Sequence, residues 1–165
     1  MTEPVRPPFA PVALLVLLLS AAAAAAPEAP RRPPASDAEA LGRYLVQTTG
    51  CNDCHTPGYT ATNGKVPVKD WLTGDAVGWR GPWGTTYPTN LRLYFSGMTE
   101  TEWLARARTM EPRPPMPWFN LRAMSDADLG AIYRFAKAAG PAGQPAPAYV
   151  PPDRQPPQPY IQFPQ

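Results

Sequence analysis

Five consecutive residues, Cys51-Asn52-Asp53-Cys54-His55, contain both cysteines and the only histidine of the 165-residue chain. On a turn of helix, residues three apart are neighbours, so the two thiols face one region with an imidazole beside them. C-x-x-C-H is the attachment pattern of c-type haem. Each thiol can add to a haem vinyl group, and the adjacent histidine then points its ring at the iron from the same side. Three other chemistries use the same residue types. A redox dithiol of the thioredoxin kind follows a strand in a βαβ setting, which this sequence lacks. A zinc site needs further donors, and no second C-x-x-C or histidine supplies the usual closure. A plain disulfide is permitted in an exported chain. The five residues together point first to one covalent haem c, with Cys51 and Cys54 as its tethers and His55 as an iron ligand.

A single histidine excludes bis-histidine iron within one chain. The other face of the iron goes to methionine, to lysine or another weak ligand, or stays open. Met98 and Met124 directly precede the helix caps Thr99 and Ser125, where a hydrophobic staple to Trp103 or Leu129 accounts for them. Met110 lies seven residues after Trp103 on the same helix face, and core packing accounts for it. Met116 has no such explanation. It stands in Pro114-Pro115-Met116-Pro117, which cannot be helical and has lost backbone donors, so a stiff loop can hold its thioether toward iron. Packing on Trp118 is the alternative.

The elements that must position these residues are partly legible. Ser36 with Glu39 reads as a capping box opening a helix that carries Leu41, Tyr44, Leu45 and Val46 on one face. Thr99 with Glu102 opens a second helix, through about Met110. Ser125 with Asp128 opens a third, through Ala139, stopped by Gly140-Pro141. Gly42 lowers helix propensity, which makes sense if Tyr133 or Phe135 of the last helix approaches closely there. Between residues 58 and 90 there is no sustained strand alternation. A loop of that length suits wrapping a bulky apolar object better than packing on itself.

The segments GRYLVQTTGCNDCHTP (Gly42–Pro57) and RPPMPWFNLRAMSDADLGAIYRFAKAAG (Arg113–Gly140) resemble bacterial class I monohaem cytochromes c, most of all the cytochrome modules that accompany periplasmic dehydrogenases. The resemblance covers most of residues 36–140. It implies an all-α fold, a small cytochrome c domain of about three to five helices around the haem, with the first and last helices crossing near it. It also implies His55 and Met116 as the axial ligands. A proline carbonyl in the loop after the motif would receive the His55 Nδ1–H; Pro57, Pro67 and Pro82 compete, with Pro82 preferred. Tyr87, Asn90, Trp118 and Asn120 are candidate donors to haem propionates or to the methionine sulfur, or else core and surface residues. Arg80 and Arg113 are candidate partners of the propionates.

Proline makes up 25 of the 165 residues, with eight in residues 1–35 and nine in 141–165. The folded unit is therefore expected over 36–140. Residues 1–26 read as an export signal, with Arg6, the apolar run Val12 to Leu19 and a small-residue tract suited to cleavage near Ala25. If it stays uncleaved, the segment is a membrane anchor. Residues 27–35 are a proline-rich linker. Residues 141–165 form a proline-rich tail, either disordered or docked through Tyr149, Tyr160 and Phe163.

The formal net charge of +2, with no basic stripe, argues against nucleic-acid binding. The expected function is a periplasmic electron carrier rather than an enzyme. It would pass single electrons between a dehydrogenase and another cytochrome or an oxidase. A haem protein with an open or displaceable distal site, acting as a gas sensor or peroxidase-like enzyme, is the alternative; a haem-free thiol–disulfide oxidoreductase is a third.

Overall fold

A computed structural model describes residues 30–164; the expected signal segment and the first three residues of the linker lie outside them. Six α-helices and three short strands occur among these residues, in the order α1 (Ala38–Thr48), α2 (Cys51–His55), β1 (Gly78–Gly81), β2 (Gly84–Thr86), α3 (Leu91–Ser96), α4 (Glu100–Thr109), α5 (Trp118–Ala123), α6 (Asp126–Ala139) and β3 (Tyr160–Gln162). The protein is helix-rich but not all-α, which corrects the expectation from sequence, as does the count of six helices. The sheet escapes a period-two reading because each strand is only three or four residues long. Its order is β2-β1-β3. β1 pairs antiparallel with β2 through a tight turn, and parallel with β3 in the register Gly78↔Tyr160, Trp79↔Ile161.

Local signals explain the helix boundaries. The Thr99 side chain accepts from the Glu102 N–H, while the Glu102 carboxylate accepts from the Thr99 N–H at 2.7 Å, a complete capping box for α4. Ser125 caps α6 by accepting from the Asp128 N–H, and Gly140 ends that helix at φ 71°. At α1 the cap is Asp37, which accepts from the Ala40 N–H at 3.0 Å. The cap thus falls one residue after the expected Ser36. Asn90 caps α3 in the same way, accepting from the Leu93 N–H.

The Glu102 carboxyl is held below its ordinary value of 4.5, first by the Thr99 backbone N–H and then by the Thr99 hydroxyl. A depressed carboxyl stabilises the fold fully above its unfolded value and loses that contribution as pH falls through the folded one. Glu102→Gln, which removes the titrating group itself, is therefore expected to flatten the acid limb of the stability profile below about pH 4.5, measured by urea unfolding at successive pH values. An unchanged acid limb would refute the assignment.

The core is built where α1 crosses α6. Leu41, Leu45 and Val46 meet Leu129, Ala131, Ile132, Phe135 and Ala136, all buried. At the crossing stands Gly42: a Cβ there would lie 2.0 Å from the Ala131 carbonyl oxygen and 2.7 Å from Phe135 Cβ. The close approach inferred from sequence is present, and Phe135 is the side chain that makes it.

Residues after Gly140 pack back onto the domain. Val150 exchanges backbone hydrogen bonds with Thr85 at 2.7 and 3.0 Å. The Phe163 ring stands 5.8 Å from Trp79 and 5.3 Å from Trp83, centroid to centroid. Of the two readings of the tail, docking is the one the structure adopts.

Candidate cofactor site

The C-x-x-C-H residues form a helix of their own. α1 ends at Thr48, and Gly50 takes the left-handed conformation (φ 80°) that reverses the chain into α2. A residue with a Cβ is strained at that angle. Behind α2, the Thr56 hydroxyl donates to Asn52 Oδ1 at 2.8 Å and accepts from the Leu72 N–H at 2.8 Å. The loop 56–90 is thereby anchored to the motif. Trp71 and Leu72 of that loop belong to the core, with Trp71 edge-on to Phe135. Only its later part, Trp79 and Thr86 to Asn90, faces the site. The loop therefore does both things that the sequence set against each other.

At its far end the loop returns to His55. The Thr89 carbonyl oxygen lies 2.7 Å from His55 Nδ1. A carbonyl can only accept, so Nδ1 carries the proton and Nε2 keeps its lone pair. The expected partner was a proline carbonyl, with Pro82 preferred. Pro82 instead occupies the turn between β1 and β2, and Thr89, next to the α3 cap, takes the role. Burial lowers the His55 pKa, partly opposed by that hydrogen bond, so the ring is held neutral and ready to bind a metal. Burial also raises both thiol pKa values. At Cys54 the charges of Asp53 and Asp75 add to the effect.

Cys51, Cys54 and His55 all line one cavity of about 780 Å³. Its wall is mostly apolar, with Leu91, Leu93, Phe95, Trp103, Leu121 and Ile132 among its residues, and Met116 is part of the same lining. No family model, curated protein or solved structure matches the chain.

The site's own chemistry must then decide what it holds. A volume of this size is that of a cofactor pocket rather than of a single ion. The cysteines are free thiols rather than a disulfide. Raised thiol pKa values disfavour the thiolate that a dithiol oxidoreductase needs. Among the described residues, no three His, Cys, Asp or Glu side chains gather as a metal cage. The Tyr87 hydroxyl, on the cavity wall, is buried without a hydrogen-bond partner. Such an orphan donor is costly unless an occupant supplies an acceptor. Two thiols, a neutral imidazole with one free nitrogen, an orphan hydroxyl and a large apolar space fit a haem.

The other expected residues divide. Asn120 and Arg113 line the cavity. Asn90 lines it too, but its amide donates to the carbonyls of Ala142 and Gln144 and its oxygen caps α3. Arg80 donates to the carbonyls of Arg154 and Pro152, and Trp118 stacks under Arg122 at 4.3 Å; neither reaches the cavity lining. Met98 is also away from it, whereas Met110 and Met124 line it beside Met116. Core packing is the expectation from sequence for Met110 and a hydrophobic staple to Leu129 for Met124; neither anticipates that the core and the cavity wall share a surface. The tail residues Pro145, Ala146, Pro147 and Tyr149 complete the wall; no motif marks them.

Proposed function

We propose that the chain is a periplasmic electron-transfer protein that carries one covalently attached haem c in a small cytochrome c domain. One observation carries this: Cys51, Cys54, His55 and Met116, singled out by residue type, open onto a single large apolar cavity. The bound haem supplies an iron centre that takes up and releases one electron at a time. Cys51 and Cys54 would hold it covalently, and His55 and Met116 would bind its iron. The Thr89 carbonyl fixes the His55 ring orientation and directs Nε2 into the cavity, as outer partners of metal-ligating histidines do. With a haem bound, the Met116 thioether would favour the reduced state and raise the potential, as would the apolar surround.

Among the described residues no carboxylate lines the cavity, and the single histidine is committed. A carrier therefore fits better than acid–base catalysis on a substrate. Export rests on the signal-like residues 1–26. Among the described residues no helix is long and apolar enough to cross a membrane. Partners of the carrier would be a dehydrogenase upstream and a cytochrome or oxidase downstream.

The test is an absorption spectrum of protein matured with a haem-attachment system. The wild type is expected to show a Soret band and a weak far-red methionine–iron charge-transfer band, and its ferrous form to refuse carbon monoxide at neutral pH. Met116→Ala should lose the far-red band entirely and bind carbon monoxide, while Met110→Ala and Met124→Ala retain the wild-type spectrum. Ready carbon monoxide binding by the wild type would favour the sensor or peroxidase-like alternative. Loss of the band in Met110→Ala or Met124→Ala instead would move the ligand to that residue.

A further inference from the structure

We propose that residues 141–150 are a strap that positions the Met116 loop, with Tyr149 and Arg113 as the positioning pair, and that it thereby denies small exogenous ligands access to the iron. The proposal rests on the haem reading above and adds to it a role for the tail.

The Met116 loop is poorly equipped to hold itself. Pro112, Pro114, Pro115 and Pro117 have no N–H to donate, and the Trp118 N–H to Met116 carbonyl bond spans only two residues. Arg122 of α5 holds the start of the loop at Met110 and Glu111, and two further braces come from outside nearer Met116. The Thr86 hydroxyl donates to the Pro114 carbonyl at 2.7 Å. Three residues before Met116, the Arg113 guanidinium stacks on the Tyr149 ring, 3.8 Å from its centroid, a cation–π contact.

Tyr149 is itself held. Its hydroxyl donates to the Trp83 carbonyl at 3.0 Å, and the next residue, Val150, is bridged to Thr85. β2 thus grips the strap through Thr85 and the loop through Thr86. At the other end, the Asn90 amide donates to the carbonyls of Ala142 and Gln144 at 2.8 and 3.0 Å. Asn90 directly follows Thr89, the residue that holds His55. Between these anchors, Pro145, Ala146 and Pro147 face the cavity. One stretch of ten residues therefore joins the His55 side of the site to the Met116 side.

The experiment uses the full-length haem-loaded chain and its Tyr149→Ala, Tyr149→Phe and Arg113→Gln variants. Each is read by the Soret band, the far-red methionine–iron band and carbon monoxide uptake by the ferrous form. Arg113 is exposed, so its replacement tests the contact without cutting into the core should Tyr149→Ala fail to fold. Tyr149→Ala and Arg113→Gln are expected to keep the Soret band, to lose at least half of the far-red intensity and to take up carbon monoxide at least tenfold faster. Tyr149→Phe keeps the ring under Arg113 but loses the hydroxyl anchor to Trp83, and should fall between the wild type and Tyr149→Ala. Wild-type far-red intensity and continued refusal of carbon monoxide in Arg113→Gln would overturn the strap while leaving the haem reading intact. A wild type without a Soret band would remove both.

Discussion

In cells able to attach haem, the Cys51→Ser/Cys54→Ser chain is expected to yield no covalently bound pigment and a markedly less stable domain. A hydroxyl in place of each thiol leaves no sulfur to form a thioether, so any haem that enters is held only by His55, Met116 and apolar contact. Denaturation in acidified solvent should release all colour from the double variant and none from the wild type. The stability effect follows from the cavity wall. Leu91, Leu93, Tyr94, Met110, Met116 and Met124 line it and remain only half-buried. Fully removing such a side chain from water contributes ~1.5–3 kcal/mol, so completing about half of that burial at six positions is on the order of 5 kcal/mol. Domains of this size have ~5–15 kcal/mol in total. Urea unfolding of the haem-loaded wild type against the haem-free double variant measures the difference. Equal midpoints would mean that the cavity's occupant contributes nothing to the fold. A double variant that keeps its pigment through denaturation would refute the thioether assignment itself.

What the sequence revealed, and what it hid, divides along the range of the interactions involved. The C-x-x-C-H motif and the caps at Thr99 and Ser125 are local: each needs partners within four residues, and residue type alone marks them. The acceptor for His55 was invisible because every residue has a carbonyl. Which of them reaches Nδ1 depends on how the loop 56–90 closes, and that is set by Asn52, Thr56 and Leu72 packing behind α2. The sheet was hidden for a related reason, since β1 finds its second partner at Tyr160–Gln162, about eighty residues on. The tail was misleading in a more specific way. Proline removes donors but leaves carbonyls, and the tail docks largely through them. Ala142, Gln144, Pro152 and Arg154 accept from Asn90 and Arg80, while Tyr149 and Phe163 supply the rings. A segment unable to form a helix could thus still become part of the cavity wall.

Gly42→Ala is expected to destabilise the protein by about 3 kcal/mol, the upper end of what overpacking usually costs, even though alanine is the better helix former. The two effects have opposite signs, and geometry decides between them. Propensity favours alanine by at most ~1 kcal/mol. Against it stands a new methyl 2.0 Å from the Ala131 carbonyl oxygen, 2.6 Å from its carbon and 2.7 Å from Phe135 Cβ. Two of these three atoms are backbone, so no rotamer change relieves the clash and α1 must move away from α6. That displacement reaches the site from both helices. α1 runs through Thr49 and Gly50 into α2, which carries Cys51, Cys54 and His55, while Ile132 of α6 is part of the cavity wall. A lowered urea midpoint should therefore be accompanied by a smaller haem-loaded fraction in the purified protein, read as the ratio of Soret to protein absorbance. Gly97→Ala is the matched control, because a Cβ there meets only the Tyr94 carbonyl oxygen at 4.0 Å. A Gly42→Ala protein as stable and as fully loaded as that control would show that the two helices do not cross as closely as Ala131 and Phe135 require.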